Sequence, residues 1–345
     1  MTDTILAAEM REQPAIVERL LGGQRPLLAQ IAREARAHDL AWVLIAARGS
    51  SDNAARYAQH VFGRLCGLPV ALASPSLSTL YDAPLRFEGA LVLGISQSGQ
   101  SPDVCTVLER ARAQGRPTVA ITNAPGSPLA GTADATVDLG AGAERSVAAT
   151  KTYTASLAAL AALAVEIAGD ETPREQLAAV AEAMQRQLEH GIGDAPRVLE
   201  GADRCAVAGR GPNYATAFEA ALKIKELTAI AAEPYSPADL MHGPVAVLGP
   251  ASPLLALAVE GPALGSVMDA VGEARRRGAR CLLLSDCAEG PRGGNEALVP
   301  LVQVPEWLSP MVAVLPAQAL AAELAGARGV NVDAPFGLRK VTRTV

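Results

Sequence analysis

Short apolar runs that end in clusters of glycine and small polar residues recur along this chain, and each cluster leads into a segment with apolar positions three and four apart. Ala41 to Ala47, AWVLIAA, runs into RGSSDNAARYAQHVFGRL; Leu91 to Gly94, LVLG, runs into ISQSGQSPD; Cys205 opens CAVAGRGPNYATAFEAALKIKEL. A continuous apolar run, a turn and then helical periodicity predict a buried parallel strand, a polar loop and a covering helix. The expected class is α/β.

The order of these events repeats. Aligning Arg48-Gly49 with Arg210-Gly211 sets an offset of 162 residues, at which Leu91 to Gly99 (LVLGISQSG) meets Leu254 to Gly261 (LLALAVEG). Ala111 to Asn123, ARAQGRPTVAITN, likewise resembles Ala274 to Asp286, ARRRGARCLLLSD, with Gly115 and Gly278 163 residues apart. A charged helix end, a glycine and a β-rich run are the signature of helix, turn and strand in both places. The halves therefore read as a duplication, with a first domain over residues 1–170 and a second over 171–330. Pro173, Gly191 and Gly193 punctuate the boundary segment Glu171 to Asp194, whose remaining residues look helical, so a structured connection is expected. The end of the chain, NVDAPFGLRKVTRTV (331–345), is too polar for a core helix; it is either a frayed tail or a segment that closes over a site.

Composition narrows the function classes. A chain of 345 residues is long enough for two cores, and half of its residues are apolar, much of that alanine. The apolar stretches read as interrupted before the length of about 18 residues that crosses a bilayer, and the N-terminus lacks a basic segment followed by an apolar one. The expectation is a soluble cytoplasmic protein with no membrane partner. A formal charge of −6 without a dense basic block argues against nucleic acid as a partner and leaves room only for a local anion site. Cys66, Cys105, Cys205, Cys281 and Cys287 form no CxxC pair and no zinc spacing, and Cys281 and Cys287 could be neighbours. His38, His60 and His190 make no metal set, so no metal and no cofactor are expected.

Chemistry concentrates in the loops. In ISQSGQSPD, Ser96, Ser98 and Ser101 offer hydroxyls, Gln97 an amide, and Gly99 close backbone approach, all where a helix start favours an anion. Serine capping of the following helix is the alternative. Ser50 and Ser51 in RGSSDNA, and Thr150 and Lys151 in SVAATKTYTAS, stand in similar places. With no GxxxxGK[ST] and no GxGxxG opening a strand–helix unit, a sugar phosphate fits better than a nucleotide. At the offset of 162, Ser96, Gln97, Ser98 and Ser101 fall opposite Ala258, Val259, Glu260 and Ala263, which carry no hydroxyl, so one half alone is equipped for phosphate. Lys223 and Glu226, three apart in ALKIKEL, share a helix face either as a surface ion pair or as functional groups. His242 lies in DLMHGPV at the Gly243-Pro244 break, and Lys340 stands beside Arg339 in FGLRKVT.

Together ISQSGQSPD, SVAATKTYT, GRGPNYATAFEAALKIKEL, ADLMHGPVAVL and DAPFGLRKVT resemble the sugar isomerase (SIS) family of phosphosugar-binding domains. The match is closest to the paired domains of the isomerase half of glucosamine-fructose-6-phosphate aminotransferase and to stand-alone relatives, glucosamine-6-phosphate deaminases among them. The resemblance implies tandem flavodoxin-like domains, each a parallel sheet flanked by helices, and a homodimer with a composite active site. It implies a phosphate cradle of Ser50, Ser51, Ser96, Gln97, Ser98 and Ser101, with Ala149 and Thr150 as further substrate contacts. Glu226 becomes the base that moves a proton between sugar C1 and C2, with Lys223 as its electrostatic neighbour. His242 becomes the ring-opening residue that reaches the other subunit's site. Lys340 makes 331–345 an active-site tail, where the lysine forms a Schiff base with the open-chain carbonyl or stabilises charge on its oxygen.

Because the chain starts MTDTILAAEMREQP without a catalytic-cysteine segment, no glutaminase domain is expected in it. Ala149 stands where the aminotransferase commonly carries serine. The expected reaction is therefore deamination of a phosphorylated amino sugar, glucosamine 6-phosphate to fructose 6-phosphate and ammonia. Galactosamine 6-phosphate deamination, phosphosugar isomerisation without amine release, cleavage of a sugar-phosphate amino-acid adduct (a deglycase) and a non-catalytic phosphosugar sensor remain as alternatives. Glu226, His242 and Lys340 weigh against the sensor, since phosphate recognition alone needs none of them.

Overall fold

The computed structural model describes residues 4–287, 294–335, 337 and 340. They form two compact units, each built on its own five-stranded parallel sheet. One unit holds residues 15–144 and 151–179 together with Lys340; the other holds the described residues of 1–14, 145–150 and 180–338. Sequence order and unit membership thus interleave, and the main crossing falls between Ala179 and Val180 in the connection between the halves.

In the first unit the strands are β1 (Trp42–Ala47), β2 (Val70–Leu72), β3 (Ala90–Ile95), β4 (Thr118–Thr122) and β5 (Ala135–Asp138), in the order β2-β1-β3-β4-β5. The second has β6 (Arg204–Ala208), β7 (Ala231–Tyr235), β8 (Leu254–Ala258), β9 (Cys281–Ser285) and β10 (Glu296–Pro300), in the equivalent order β7-β6-β8-β9-β10. All pairings are parallel, as two-face burial of these apolar runs requires. The duplication holds at the level of single residue pairs. Val43 faces Val70 and Ala46 faces Gly94 in one sheet; Cys205 faces Ala232 and Ala208 faces Ala256 in the other, each partner 162 residues later. At β4 and β9 the offset becomes 163, since Val92 faces Thr118 and Leu254 faces Cys281. The same step is visible in sequence as the 163-residue separation of Gly115 and Gly278.

Chain order reverses between β1 and β3, and again between β6 and β8, so loops leaving those strand ends diverge and open a crevice at each sheet's carboxyl edge. The first crevice is bounded by the serine loops. Below it, Leu44, Ala46 and Val92 pack with Val104, Leu108 and Leu129 from covering helices. Two further helices, Lys151–Ala168 and the segment Glu306–Ala327, are long and apolar enough to cross a membrane by length and composition, which corrects the expectation that every apolar stretch falls short. They are 89% and 83% buried inside the fold, so here the all-round apolarity is that of core helices. The five thiols are free: Cys281 is buried in β9 and Cys287 is exposed beyond it.

Candidate functional site

The serine loop is built by its own hydrogen bonds. Ser96 directly follows β3, its amide held by Ile121 O at 3.1 Å, and its Oγ accepts the Gly99 amide at 3.2 Å and lies 3.2 Å from Ser101 Oγ. Ser98 Oγ accepts the Gln100 amide at 3.3 Å. Ser101 occupies the N-cap of the helix Pro102–Ala113 but its side chain makes no capping bond, so the hydroxyl is turned towards Ser96 instead. Gly99 has φ +61°, and a Cβ there would lie 1.9 Å from Ser127 Oγ, so the loop must carry glycine to close this tightly. Gln97 O accepts the Asn123 amide at 3.2 Å, tying β3's loop to the end of β4. Ser50 and Ser51 begin the helix Ser50–Cys66 after Gly49, whose φ is +56°, and both are half-buried. The loops after β1 and β3 thus bring hydroxyls and a helix start to one crevice, which is chemistry suited to an oxyanion.

On the helix Asn213–Thr228 of the other unit, Lys223 is only 1% exposed, which rules out the surface-pair alternative. Its Nζ donates to Glu226 Oε2 at 2.5 Å and stands 3.5 Å from Glu219 Oε1. Glu219, Lys223 and Glu226 are four and three residues apart and so share one face. Glu226 opposes the helix dipole in the last turn, and the adjacent ammonium offsets that repulsion. Of the three side chains, Glu226 alone is partly open to solvent, at 25%. His242 caps the helix Pro237–Met241 and is exposed, next to exposed Met241. In the same unit Thr150 is buried and Ala149 half-buried, and the Glu9 carboxylate accepts the nearby amides of Arg145 at 2.5 Å and Ser146 at 3.2 Å. In the first-sheet unit Lys340, half-buried, donates to Glu144 Oε2 at 2.6 Å.

Against known families, the SIS domain model matches twice, over residues 42–166 and 198–328. The chain belongs to the SIS family. The glutamine–fructose-6-phosphate aminotransferase (isomerizing) of Zymomonas mobilis subsp. mobilis is 34% identical over 349 residues, covering 96% of this chain and 57% of that protein. The chain thus spans little more than half the length of such curated relatives. Among solved structures, a Silicibacter pomeroyi protein provisionally described as a phosphosugar isomerase has TM-score 0.87 and 33% identity, covering 96% of this chain and 99% of that one. The C-terminal domain of glucosamine-fructose-6-phosphate aminotransferase from Francisella tularensis has TM-score 0.86 and 26% identity, covering 97% and 99%.

Several residues around the SIS crevice escape a reading of local motifs. Arg48, half-exposed before Gly49, donates from Nε to the fully buried carboxylate of Asp103 at 2.7 Å, joining the loops after β1 and β3. Asn123 clamps the next loop, donating from Nδ2 to Gly142 O at 2.7 Å and accepting the Ala141 amide at 2.8 Å. Charges flanking both serine clusters were the available signal for the first pair; Asn123 offered none. In the second SIS repeat a glutamate side chain approaches the equivalent glycines. Gly211 and Gly261 are the counterparts of Gly49 and Gly99 and also have positive φ, and Glu306 Oε1 lies 3.6 Å and 2.8 Å from where their Cβ atoms would stand.

Proposed function

We propose that this SIS protein converts glucosamine 6-phosphate to fructose 6-phosphate and ammonia. The observation that carries the reading is Glu226, a partly open carboxylate 2.5 Å from a buried lysine. A carboxylate held in one orientation and flanked by a fixed cation can move a proton between adjacent carbons. In this reading the Ser96–Ser101 loop with Ser50 and Ser51 takes the phosphate, and His242 passes a proton at the ring oxygen to open the sugar. Glu226 removes the proton from C2 of the open aldehyde and returns it to C1, leaving an imine at C2. Water adds to that imine and ammonia leaves, so the atoms balance without a cofactor. Lys223 steadies the charge on Glu226, Lys340 donates towards the carbonyl oxygen, and Ala149 and Thr150 contact the sugar. In this reading the exposed His242 serves a second copy of the chain in a homodimer. The proposed compartment is the cytoplasm.

Aldose–ketose isomerisation without amine release uses the same base, and the likeness to the Silicibacter pomeroyi structure favours it as the second reading. Ammonia and fructose 6-phosphate are to be followed from glucosamine 6-phosphate, with galactosamine 6-phosphate in parallel. Equal amounts of both products, lost about 10²–10⁴-fold in a folded Glu226→Gln variant, are expected. Ketose formation with no ammonia moves the assignment to simple isomerisation, and phosphosugar binding without any product removes the enzymatic reading.

A further inference from the structure

Lysine is scarce in this protein: Lys151, Lys223, Lys225 and Lys340 are the only four in the chain, against 26 arginines. Lys151 and Lys223 are buried, Lys340 is half-buried and Lys225 alone is exposed. Solvated positive charge is thus carried mostly by arginine, and three of the four lysines stand in enclosed positions, where an ammonium requires an acceptor.

For Lys340 that acceptor is prepared by the fold. The Glu144 side chain has no exposure, yet its carboxylate is oriented without the lysine: Oε1 accepts the Thr152 amide at 3.1 Å and Oε2 accepts Thr152 Oγ1 at 2.8 Å. Thr152 is the second residue of the 18-residue helix Lys151–Ala168, whose N-terminal dipole favours an anion. Oε2 then also takes Lys340 Nζ at 2.6 Å. The loop bearing Glu144 is connected to the serine loop through Asn123, which bonds Gln97 O on one side and Gly142 O on the other. These groups belong to one unit and follow strands β3, β4 and β5 at the same sheet edge.

We infer that Glu144 is a positioning residue whose carboxylate is the docking site of Lys340, holding the ammonium at the rim of the serine loop before substrate binds. The docking itself is independent of the reaction proposed above; only its kinetic consequence rests on that reading. Glu144 sets the place from which Lys340 reaches a sugar whose phosphate the loop has taken.

The four lysines make the test self-contained. The intact protein is acetylated with an N-hydroxysuccinimide ester at low reagent excess, and the rate at each lysine is read by peptide mass spectrometry. Lys225 serves as the exposed reference and Lys151 and Lys223 report whether the fold has opened. In the parent protein Lys340 should react about tenfold or more slowly than Lys225, as a charge-assisted bond of this kind would give. Glu144→Gln should raise the Lys340 rate by that factor while Lys151 and Lys223 stay protected. Should Glu144→Gln open the fold, Glu144→Asp keeps the charge but withdraws it by a methylene, and the same selective rise is expected. Equal Lys340 rates in parent and variant overturn the inference. If the chain deaminates glucosamine 6-phosphate, Glu144→Gln should lower kcat more than it raises KM; a chain inactive on that sugar refutes the proposed function and leaves the labelling result standing.

Discussion

Replacing Gly99 by alanine perturbs the serine loop at its tightest point. Two costs can be worked from the structure. At φ +61° a Cβ crowds its own backbone, worth about 1–2 kcal/mol. The new methyl would also lie 1.9 Å from Ser127 Oγ and 2.4 Å from Ser127 Cβ, so the loop or Ser127 must move, at about 1–3 kcal/mol as for other overpacked sites. Gly99→Ala should therefore lose about 2–5 kcal/mol, a large part of the 5–15 kcal/mol that holds a typical domain. Gly115 supplies the control, since its φ is +68° and nothing lies within 4 Å of the added Cβ. Gly115→Ala should cost only the backbone part. Urea unfolding of both variants, with binding of inorganic phosphate measured on the folded protein, separates the two contributions. Ser127→Gly removes both clashing atoms and, as an N-cap change, costs only a few tenths of a kcal/mol. In the double variant Gly99→Ala/Ser127→Gly, at least about 1 kcal/mol of the loss should return. Equal costs for Gly99→Ala and Gly115→Ala, or strict additivity with Ser127→Gly, would show that Ser127 does not constrain the loop.

The Arg48–Asp103 pair should respond unequally to its two truncations. Arg48→Ala leaves a fully buried carboxylate without its guanidinium, at about 1–2 kcal/mol after allowance for the half-exposed arginine, whereas Asp103→Asn leaves a guanidinium that water can reach and should cost less. Unfolding midpoints in the opposite order would contradict that account. Burial pushes the Cys205 thiol up to about 12, and the Cys66 and Cys281 thiols up to about 11, from the ordinary 9.0. The unfolded chain therefore releases these protons first: stability is full below pH 9 and falls as pH rises from there towards 11. Urea midpoints between pH 8 and 10.5 should show this slope and Cys205→Ala should flatten it; an unchanged slope would assign the alkaline loss to other groups.

What the sequence determined by itself is local and repetitive. Strand, polar loop and helix follow from apolar runs and turns that interact with their neighbours along the chain, and the α/β class, the duplication and its offset of 162 were legible for that reason. The extra residue of the second half, between Gly261 and Ala274, was visible too, because the offset steps from 162 to 163 there and stays at 163 into the next strand. The serine cluster was readable as a candidate anion loop, but not whether Ser101 caps its helix or turns to Ser96. Tertiary structure decided that, together with everything that depends on burial or on partners distant in sequence. By its spacing Lys223 read first as half of a surface pair, until packing enclosed it. Asp103 meets Arg48 across 55 residues and Lys340 meets Glu144 across 196. Such pairs leave no periodic mark, because the energy that selects them arises only after folding removes water from around both charges. The same holds for the apolar helices Lys151–Ala168 and Ser309–Ala327, whose composition suits a lipid or a protein interior alike; the surrounding sheets and helices make the choice.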